Sequence, residues 1–190
     1  MLSFSSVYSQ LGKTEYLKGE AARNKENWIE ALKWLKISAE KGYPKGMNSL
    51  AYMYENGEGM DQNYPEAMKW YRKSIQKGNT DAMVSLGIIY QNSDLYEEAE
   101  NCFKMSAEKG NINGMDLLGY FYFTREKYKE ALPWLKKAAE KDQPTALYHL
   151  GEMYEYGYGG IQIDETKALE YYKKAASKGD ENAIKRLKTN

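Results

Sequence analysis

Hydrophobic and small side chains recur at intervals of three and four residues in five stretches of the chain, and each stretch ends in nearly the same phrase. The phrases close at positions 42, 78, 110, 142 and 179, so successive closures lie 36, 32, 32 and 37 residues apart. Spacings of three and four place side chains on one stripe of an α-helix, and a period of this length is typical of stacked helical units. The pattern therefore predicts an all-helical repeat protein.

Each closing phrase has the composition of a helix end. The first phrase runs from Ser38 to Gly42, with Lys41 before the glycine. Lysine in the last turn complements the negative end of the helix dipole, and glycine just beyond it can adopt the left-handed conformation that ends a helix. In the fourth phrase Asp142 replaces the glycine. Because Pro144 follows closely, we still expect the helix to stop there.

Two helices precede each closing phrase. The second helix of the first repeat carries Ala31, Trp34, Leu35 and Ser38 on one stripe, and matching residues recur in the later repeats. The first helix carries a leucine, a small residue and, after two further positions, a tyrosine. The small residue lets a neighbouring helix approach closely, and the tyrosine fills the space above it. These sets are Leu50-Ala51 with Tyr54, Leu86-Gly87 with Tyr90, Leu118-Gly119 with Tyr122, and Leu150-Gly151 with Tyr154.

These residues resemble the tetratricopeptide superfamily, and most closely its Sel-one-like repeat (SLR) branch. That branch shows Leu-Gly-x-x-Tyr, a Gly-x-Gly loop, and an aspartate before a Lys-Ala helix start. The fifth repeat matches with Leu150-Gly151-Glu152-Met153-Tyr154, Gly157-Tyr158-Gly159, Asp164 and Lys167-Ala168, and the second repeat matches with Ala51 and Asn63 as substitutions. The two middle repeats lack the glycine loop and are expected to have tight turns.

The resemblance implies an all-α fold, a right-handed α-solenoid of five helix-turn-helix repeats in a single domain, 1–190. The expected repeats span about 14–42, 43–78, 79–110, 111–142 and 143–179, and a capping helix lies within 180–190. In that helix Ala183, Ile184 and Leu187 should pack inward. The first 13 residues match no repeat, so they are either disordered or a short helix that caps the first repeat.

In the resembling family, ligands usually lie in the concave groove lined by the first helices. The groove residues should form the stripe beside the leucine–tyrosine face. Aromatic and apolar side chains on such a stripe are typical of protein-binding surfaces, although they could instead pack adjacent first helices together. Its carboxylates indicate a partner segment that carries Lys or Arg. The predicted partner-binding residues are Asn48, Tyr52, Glu55, Val84, Ile88, Gln91, Asp116, Tyr120, Phe123, Tyr148, Glu152 and Tyr156.

Charge and composition narrow the choice of partner. Because 27 Lys and Arg balance 27 Asp and Glu, the chain has no global attraction for nucleic acid or an anionic membrane, and neither is expected as a partner. No stretch is apolar enough for a membrane span. Residues 1–7 lack the features of a signal peptide, so a cytoplasmic location is the default expectation, and a periplasmic one follows if a leader has been removed.

Catalytic, metal and cofactor chemistry find no support in the sequence. Cys102 is the only cysteine and occupies a position where other repeats carry Trp or Tyr, which favours a small buried core residue. His149 is the only histidine and lies too far along the chain for a Cys–His pair. We therefore expect no enzyme activity, no metal site and no cofactor.

Two functions remain. The first is a scaffold or adaptor that binds another protein or peptide in the groove. The alternative is an immunity or inhibitor protein that neutralises a bacterial toxin or secreted effector, since small SLR-like proteins resemble known immunity proteins. The oligomeric state is left open.

Overall fold

A computed structural model describes residues 11–189 of the chain. Helices make up this part of the chain, together with short turns and one three-residue 3-10 segment at Tyr158–Gly160. The predicted N-terminal cap lies mostly outside the described residues. In chain order the helices are α1 (Lys13–Arg23), α2 (Trp28–Glu40), α3 (Pro44–Asn56), α4 (Tyr64–Gln76), α5 (Thr80–Asn92), α6 (Tyr96–Glu108), α7 (Ile112–Phe123), α8 (Tyr128–Ala139), α9 (Pro144–Tyr156), α10 (Glu165–Ser177) and α11 (Glu181–Lys188).

The helices follow the predicted repeat. The odd-numbered helices from α1 to α9 are the first helices of the five pairs, the even-numbered ones are the second helices, and α11 is the predicted capping helix. The all-α repeat fold is thereby confirmed. The chain divides into two compact units, 1–86 and 87–190, with the boundary inside α5, and each unit is described by itself below. The expectation of one continuous domain stays a prediction.

The helix ends form as their residue types predict. Gly42 closes α2 with φ 84°, and Asp142, which replaces glycine after α8, takes the same left-handed conformation with φ 58°. At the other ends, the side chain of Asn63 accepts a hydrogen bond from the Glu66 amide, and that of Asp164 accepts one from the Lys167 amide. Asp180 does the same for α11 through the Ala183 amide at 2.8 Å.

The turns inside the helix pairs are of two kinds, also as predicted. Gly57 and Gly157 end α3 and α9 in left-handed conformation and open the longer glycine loops. The turns of the two middle pairs are tight and place Asp94 and Glu126 at φ 60° and 57°. The first pair shares this tight turn through Glu26, so repeats with a glycine loop are the second and fifth.

The unit 1–86 is built around small and medium side chains from α1, α2 and α3. Leu35 and Leu50 are fully buried, and Trp70 and Tyr54 pack against this core. Ser38 is buried in the same region, and its hydroxyl donates a hydrogen bond to the Gly12 carbonyl at 2.7 Å. A polar side chain inside the core is thus satisfied by the backbone at the start of the partner helix.

The unit 87–190 has a larger core with more aromatic residues. Phe103, Phe121, Leu135 and Leu150 are almost fully buried, and the rings of Phe103 and Phe121 meet edge to face with centroids 5.9 Å apart. The capping helix adds Ala183, which is fully buried, while Cys102 is half-buried where we expected a core residue. None of the helices within residues 11–189 is long and apolar enough to cross a bilayer.

The small residues after leucine permit the predicted close approach of paired helices. A Cβ atom at Gly119 would lie 2.7 Å from Leu135 Cδ2 and 3.1 Å from the Leu135 backbone nitrogen. At Gly151 the corresponding atom would lie 2.5 Å from a ring carbon of Tyr172. The second helix therefore packs directly onto the backbone of the first.

Replacing Gly119 with alanine should destabilise the protein by about 2 kcal/mol, because the added methyl group overpacks a contact that involves rigid backbone. Urea unfolding followed by circular dichroism measures this loss. Asn113→Ala, at an exposed position on the same helix, is the control and should change stability by less than about 0.5 kcal/mol. Equal effects of the two substitutions would contradict the close-packing argument.

Candidate functional site

A pocket of about 420 Å³ lies on the unit 87–190, between α7, α9 and the start of α11. We call it the Asp116 pocket. It is lined by two carboxylates, two tyrosines and a histidine. A gap left by imperfect packing between helices would not need so many polar side chains. The lining residues are Asp116, Leu117, Tyr120, Thr145, Tyr148, His149, Asp180 and Asn182.

Helical spacing brings these side chains together. Asp116 and Tyr120 are four residues apart, so they lie on the same face of α7. Tyr148 follows three residues after Thr145 and occupies the facing side of α9. Asp180 is fixed at the N-terminus of α11, where its carboxylate caps that helix. The pocket is thus shaped by regular secondary structure.

An aromatic cluster surrounds His149 at one side of the pocket. The ring centroid of His149 lies 4.4 Å from that of Phe123, 5.4 Å from that of Tyr120 and 5.3 Å from that of Tyr148. Nδ1 of His149 is 2.7 Å from Oε2 of Glu152, one helical turn further along α9. We call these five residues the His149 cluster. Tilted and edge-to-face ring contacts hold the two tyrosines against His149, and the contact with Glu152 orients the His149 ring.

The carboxyl group of Asp116 is poorly compensated by its surroundings in the pocket. Its Oδ1 atom is buried and has no hydrogen-bond partner among the described residues. Burial raises the pKa of its carboxyl from 3.8 to about 6, although His149 and the Ala146 amide act in the opposite direction, and Asp180 adds to the rise. The protein therefore keeps a carboxylate in a place that disfavours its charge.

Tyr148 is held by the same surroundings. Burial raises the pKa of the Tyr148 hydroxyl to about 12, and the charge of Glu152 and a hydrogen bond to it add to the rise. The hydroxyl therefore stays a neutral donor at physiological pH. The Tyr148 ring also lies 5.5 Å from that of Tyr172, which donates a hydrogen bond to Glu155 at 2.6 Å. Tyr148, on the pocket wall, is thus in contact with a residue that packs α10 against α9.

The structure corrects one predicted binding residue and explains a second differently. Val84 is 9% exposed and is a core residue, so the prediction that it lines a binding surface is wrong. Val84 lies on α5 beside the buried residues Ala82, Met83 and Leu86, whereas Ile88, one turn further along the helix, is 37% exposed. Glu55 is half-buried, and its Oε2 accepts a hydrogen bond from the Tyr71 hydroxyl at 2.6 Å. That carboxylate serves the packing of α3 against α4.

The other predicted residues of the unit 1–86 lie outside any comparable cluster. Tyr52 is exposed, and the Arg23 guanidinium lies 4.4 Å from its ring centroid. Arg23 is held there by Glu58 at 2.7 Å. Asn48 is half-buried, and its Oδ1 has no partner among the described residues.

Within the unit 87–190, five predicted residues meet at the Asp116 pocket and the His149 cluster, and three lie elsewhere. Ile88 is 37% exposed and Gln91 is half-buried on α5. Tyr156 is exposed at the end of α9, where its hydroxyl accepts a hydrogen bond from Arg186 at 3.0 Å. The five that meet are Asp116, Tyr120, Phe123, Tyr148 and Glu152.

Sequence reasoning missed His149 and Asp180 as site residues. His149 occupies the repeat position of Leu117, next to the stripe predicted to line the groove, and so falls outside that prediction. A usable signal was present, because a histidine three residues before Glu152 on a helix can pair with it. Asp180 belongs to the turn before α11, and no first-helix stripe could include it.

A larger pocket of about 620 Å³ lies between α9 and α10 and is a weaker candidate. Tyr154 and Tyr171 stack there with centroids 5.5 Å apart. Its lysines are exposed, and Lys167 already pairs with Asp164 at 3.1 Å, so its charges are solvated or compensated. Within residues 11–189, no three His, Cys, Asp or Glu side chains are arranged to hold a metal ion.

Comparison with known families and structures agrees with this repeat geometry. The Sel1 repeat model matches the chain five times in succession, at 6–43, 44–79, 80–111, 112–143 and 144–180, and each match ends one residue after the predicted closure. None of the curated proteins compared with the chain matches it.

Solved structures of similar fold come from several bacteria. The Sel1 repeat protein from Oxalobacter formigenes is 29% identical with a TM-score of 0.82, and the match covers 98% of this chain and 80% of that protein. A protective antigen of uropathogenic Escherichia coli with an SLR fold is 31% identical with a TM-score of 0.75, over 81% of this chain. This chain spans 34% of the antigen's length.

An immunity protein from Pseudomonas aeruginosa is a more distant neighbour. It is 22% identical with a TM-score of 0.63, and the match covers 90% of this chain and 67% of that protein. Identity at this level shows a shared fold alone.

Asp116→Asn should stabilise the protein at neutral pH. Because the folded protein retains the Asp116 proton up to a pH of about 6 and the unfolded chain only to about 3.8, the wild type loses stability as the pH rises through this window. Asparagine carries no charge, so the variant should be more stable by on the order of 2 kcal/mol at pH 7 and nearly equal at pH 4. Urea unfolding at both pH values measures the difference.

Asp164→Asn provides a control of opposite sign, because the Lys167 amide and ammonium group lower the pKa of the Asp164 carboxyl. That variant should gain no stability at pH 7. If Asp116→Asn is no more stable than the wild type at pH 7, the carboxylate is better satisfied than the geometry indicates.

Proposed function

The chain belongs to the Sel1 repeat family, and we propose that it works as a protein-interaction module whose partner-binding surface is centred on the Asp116 pocket and the His149 cluster. The proposal assigns no catalytic step to the chain. It rests on one observation: aromatic and acidic side chains that are not needed for the repeat pattern are gathered and fixed at one place on the unit 87–190.

The aromatic part of the surface supports binding of a protein. Tyr120 and Tyr148 are half-buried, so each presents part of its ring to solvent while the remainder packs in the His149 cluster. Tyrosines of this kind are enriched where partner proteins bind most tightly. Because the rings are already held by their neighbours, little side-chain entropy is lost when a partner binds.

Two versions of this function differ in the partner. An adaptor binds short flexible segments, and an inhibitor binds one folded toxin or effector. The immunity proteins among the structural neighbours motivate the second version, but their low identity carries only the fold. We favour the adaptor, as the sequence does, and keep the inhibitor as the alternative.

The double variant Tyr120→Ala/Tyr148→Ala should lose partner binding, because it removes both aromatic walls of the Asp116 pocket. Affinity purification from the native host with the wild type and the variant, quantified by mass spectrometry, identifies proteins whose recovery depends on the two tyrosines. Calorimetry with the leading purified partner should then show at least a tenfold weaker Kd for the variant, a loss of about 1.4 kcal/mol or more.

Tyr154→Ala/Tyr171→Ala is the matched control, because it truncates another half-buried tyrosine pair of the same unit. Circular dichroism must show that both double variants are folded. A partner bound equally well by the wild type and the Tyr120→Ala/Tyr148→Ala variant contradicts the proposal.

The Kd of the wild type separates the two versions. Ordering a flexible peptide costs free energy, so an adaptor should bind its segments with micromolar affinity. A nanomolar Kd for one folded protein supports the inhibitor instead.

A further inference from the structure

We infer that the Asp116 pocket takes an arginine side chain of the partner protein, with the guanidinium group between the tyrosine rings and the carboxylates. This inference deepens the proposed function and rests on it, because it names the group that the partner inserts. The inference is supported by the position of two carboxylates beside two tyrosine rings in one pocket, on a protein whose total charges balance.

The charges around the pocket favour a cation. Asp116 and Asp180 line it, and neither Lys nor Arg is among the residues that do so in the described chain. The two groups that face Asp116 electrostatically are His149, from α9, and Asp180, from the turn before α11. Glu152 Oε2 lies 2.7 Å from His149 Nδ1, and Glu152 is not among the lining residues.

One arginine, Arg186, acts electrostatically on the Tyr148 hydroxyl from outside the pocket lining. Arg186, on α11, hydrogen-bonds to Glu155 and to the Tyr156 hydroxyl, and it is not among the lining residues. Both of these hydrogen bonds are to groups at the end of α9. The carboxylate of Asp116 keeps an Oδ1 atom without a hydrogen-bond partner in the described chain.

The walls suit a flat cation. Tyr120 and Tyr148 lie on opposite helices, and the face of an aromatic ring attracts a guanidinium group placed within about 6 Å of its centroid. This protein already uses the contact inside its own fold, where Arg125 lies 3.8 Å from the centroid of Phe121 and 4.3 Å from that of Tyr96. The pocket volume of about 420 Å³ also falls within the range of about 300–1,000 Å³ typical of binding sites.

Arginine fits better than lysine for two reasons. A guanidinium group is planar and stacks on a ring while it donates hydrogen bonds from its edge, whereas an ammonium group is compact and keeps its water more strongly. In a half-buried pocket the weaker hydration of guanidinium lowers the cost of entry. The cation need not touch the buried Oδ1, since an opposite charge within about 4–6 Å already stabilises a carboxylate.

The test uses the full chain and a small probe, Nα-acetyl-arginine-N-methylamide, followed by NMR. The amide signals of Tyr148 and His149 should shift and saturate as the probe is added. The citrulline derivative, which has the same shape without the charge, should bind at least about fivefold more weakly, and the lysine derivative should also bind more weakly than arginine. The carboxyl ¹³C signal of Asp116 should titrate at lower pH when the arginine probe is present.

Two variants assign the binding to the carboxylate. Asp116→Asn, which we expect to fold with increased stability, should abolish the saturable shifts. Glu170→Gln removes an exposed carboxylate that lines the other pocket of the same unit and should leave them unchanged. Both variants carry one charge fewer, so a general electrostatic effect would weaken binding equally.

The outcomes separate this inference from the proposed function. Equal binding of arginine and citrulline, equal binding by Asp116→Asn and the wild type, or no saturable shift overturns the inference, and tighter binding of lysine overturns the choice of arginine. If the probe binds but the Tyr120→Ala/Tyr148→Ala variant keeps every partner, the cation site stands and the proposed function fails. If partners are lost but the probe does not bind, the proposed function stands and this inference fails.

Discussion

The packing of each second helix directly onto the backbone of its first helix is the contact on which the repeats depend. At Gly119 and Gly151 no Cβ atom would fit beneath Leu135 and Tyr172, so the side chain of the second helix occupies the space that a larger residue would fill. This contact brings paired helices together with few large core residues. It also uses one face of every first helix for packing, which leaves the remaining stripe of α7 and α9 available for other chemistry.

The candidate site follows from that arrangement in the unit 87–190. α7 and α9 occupy equivalent positions in successive repeats, 32 residues apart, so Asp116 corresponds in register to Tyr148. Two equivalent stripes therefore face the same pocket with different residues. Tyr172 lies under Gly151 and also contacts the ring of Tyr148, so the packing that closes the last repeat holds one wall of the pocket.

Features set by local spacing could be predicted from the sequence, and features set by helix rotation or distant contacts could not. The end of α8 near Asp142, the start of α10 after Asp164 and the capping helix α11 depend on neighbouring residues, and all three were confirmed. The burial of Val84 depends on how α5 is turned about its axis, which a stripe of apolar residues leaves ambiguous. The contact between Glu55 and Tyr71 joins residues sixteen positions apart, and no helical spacing indicates it.

Asp116 distinguishes the site from ordinary packing. A carboxylate in the core of a helix pair is normally matched by a cation or by several hydrogen-bond donors, as Glu155 is by Tyr172 and Arg186. Asp116 has the amide of Ala146 and the incomplete compensation of His149, so its burial costs folding free energy. A cation from a partner would stabilise the charged form of Asp116 and so offset the cost of burying it. A destabilising residue that lines an aromatic pocket is therefore expected at a binding site. The same burial that disfavours the carboxylate in the isolated protein strengthens its attraction for a cation when a partner excludes water from the pocket.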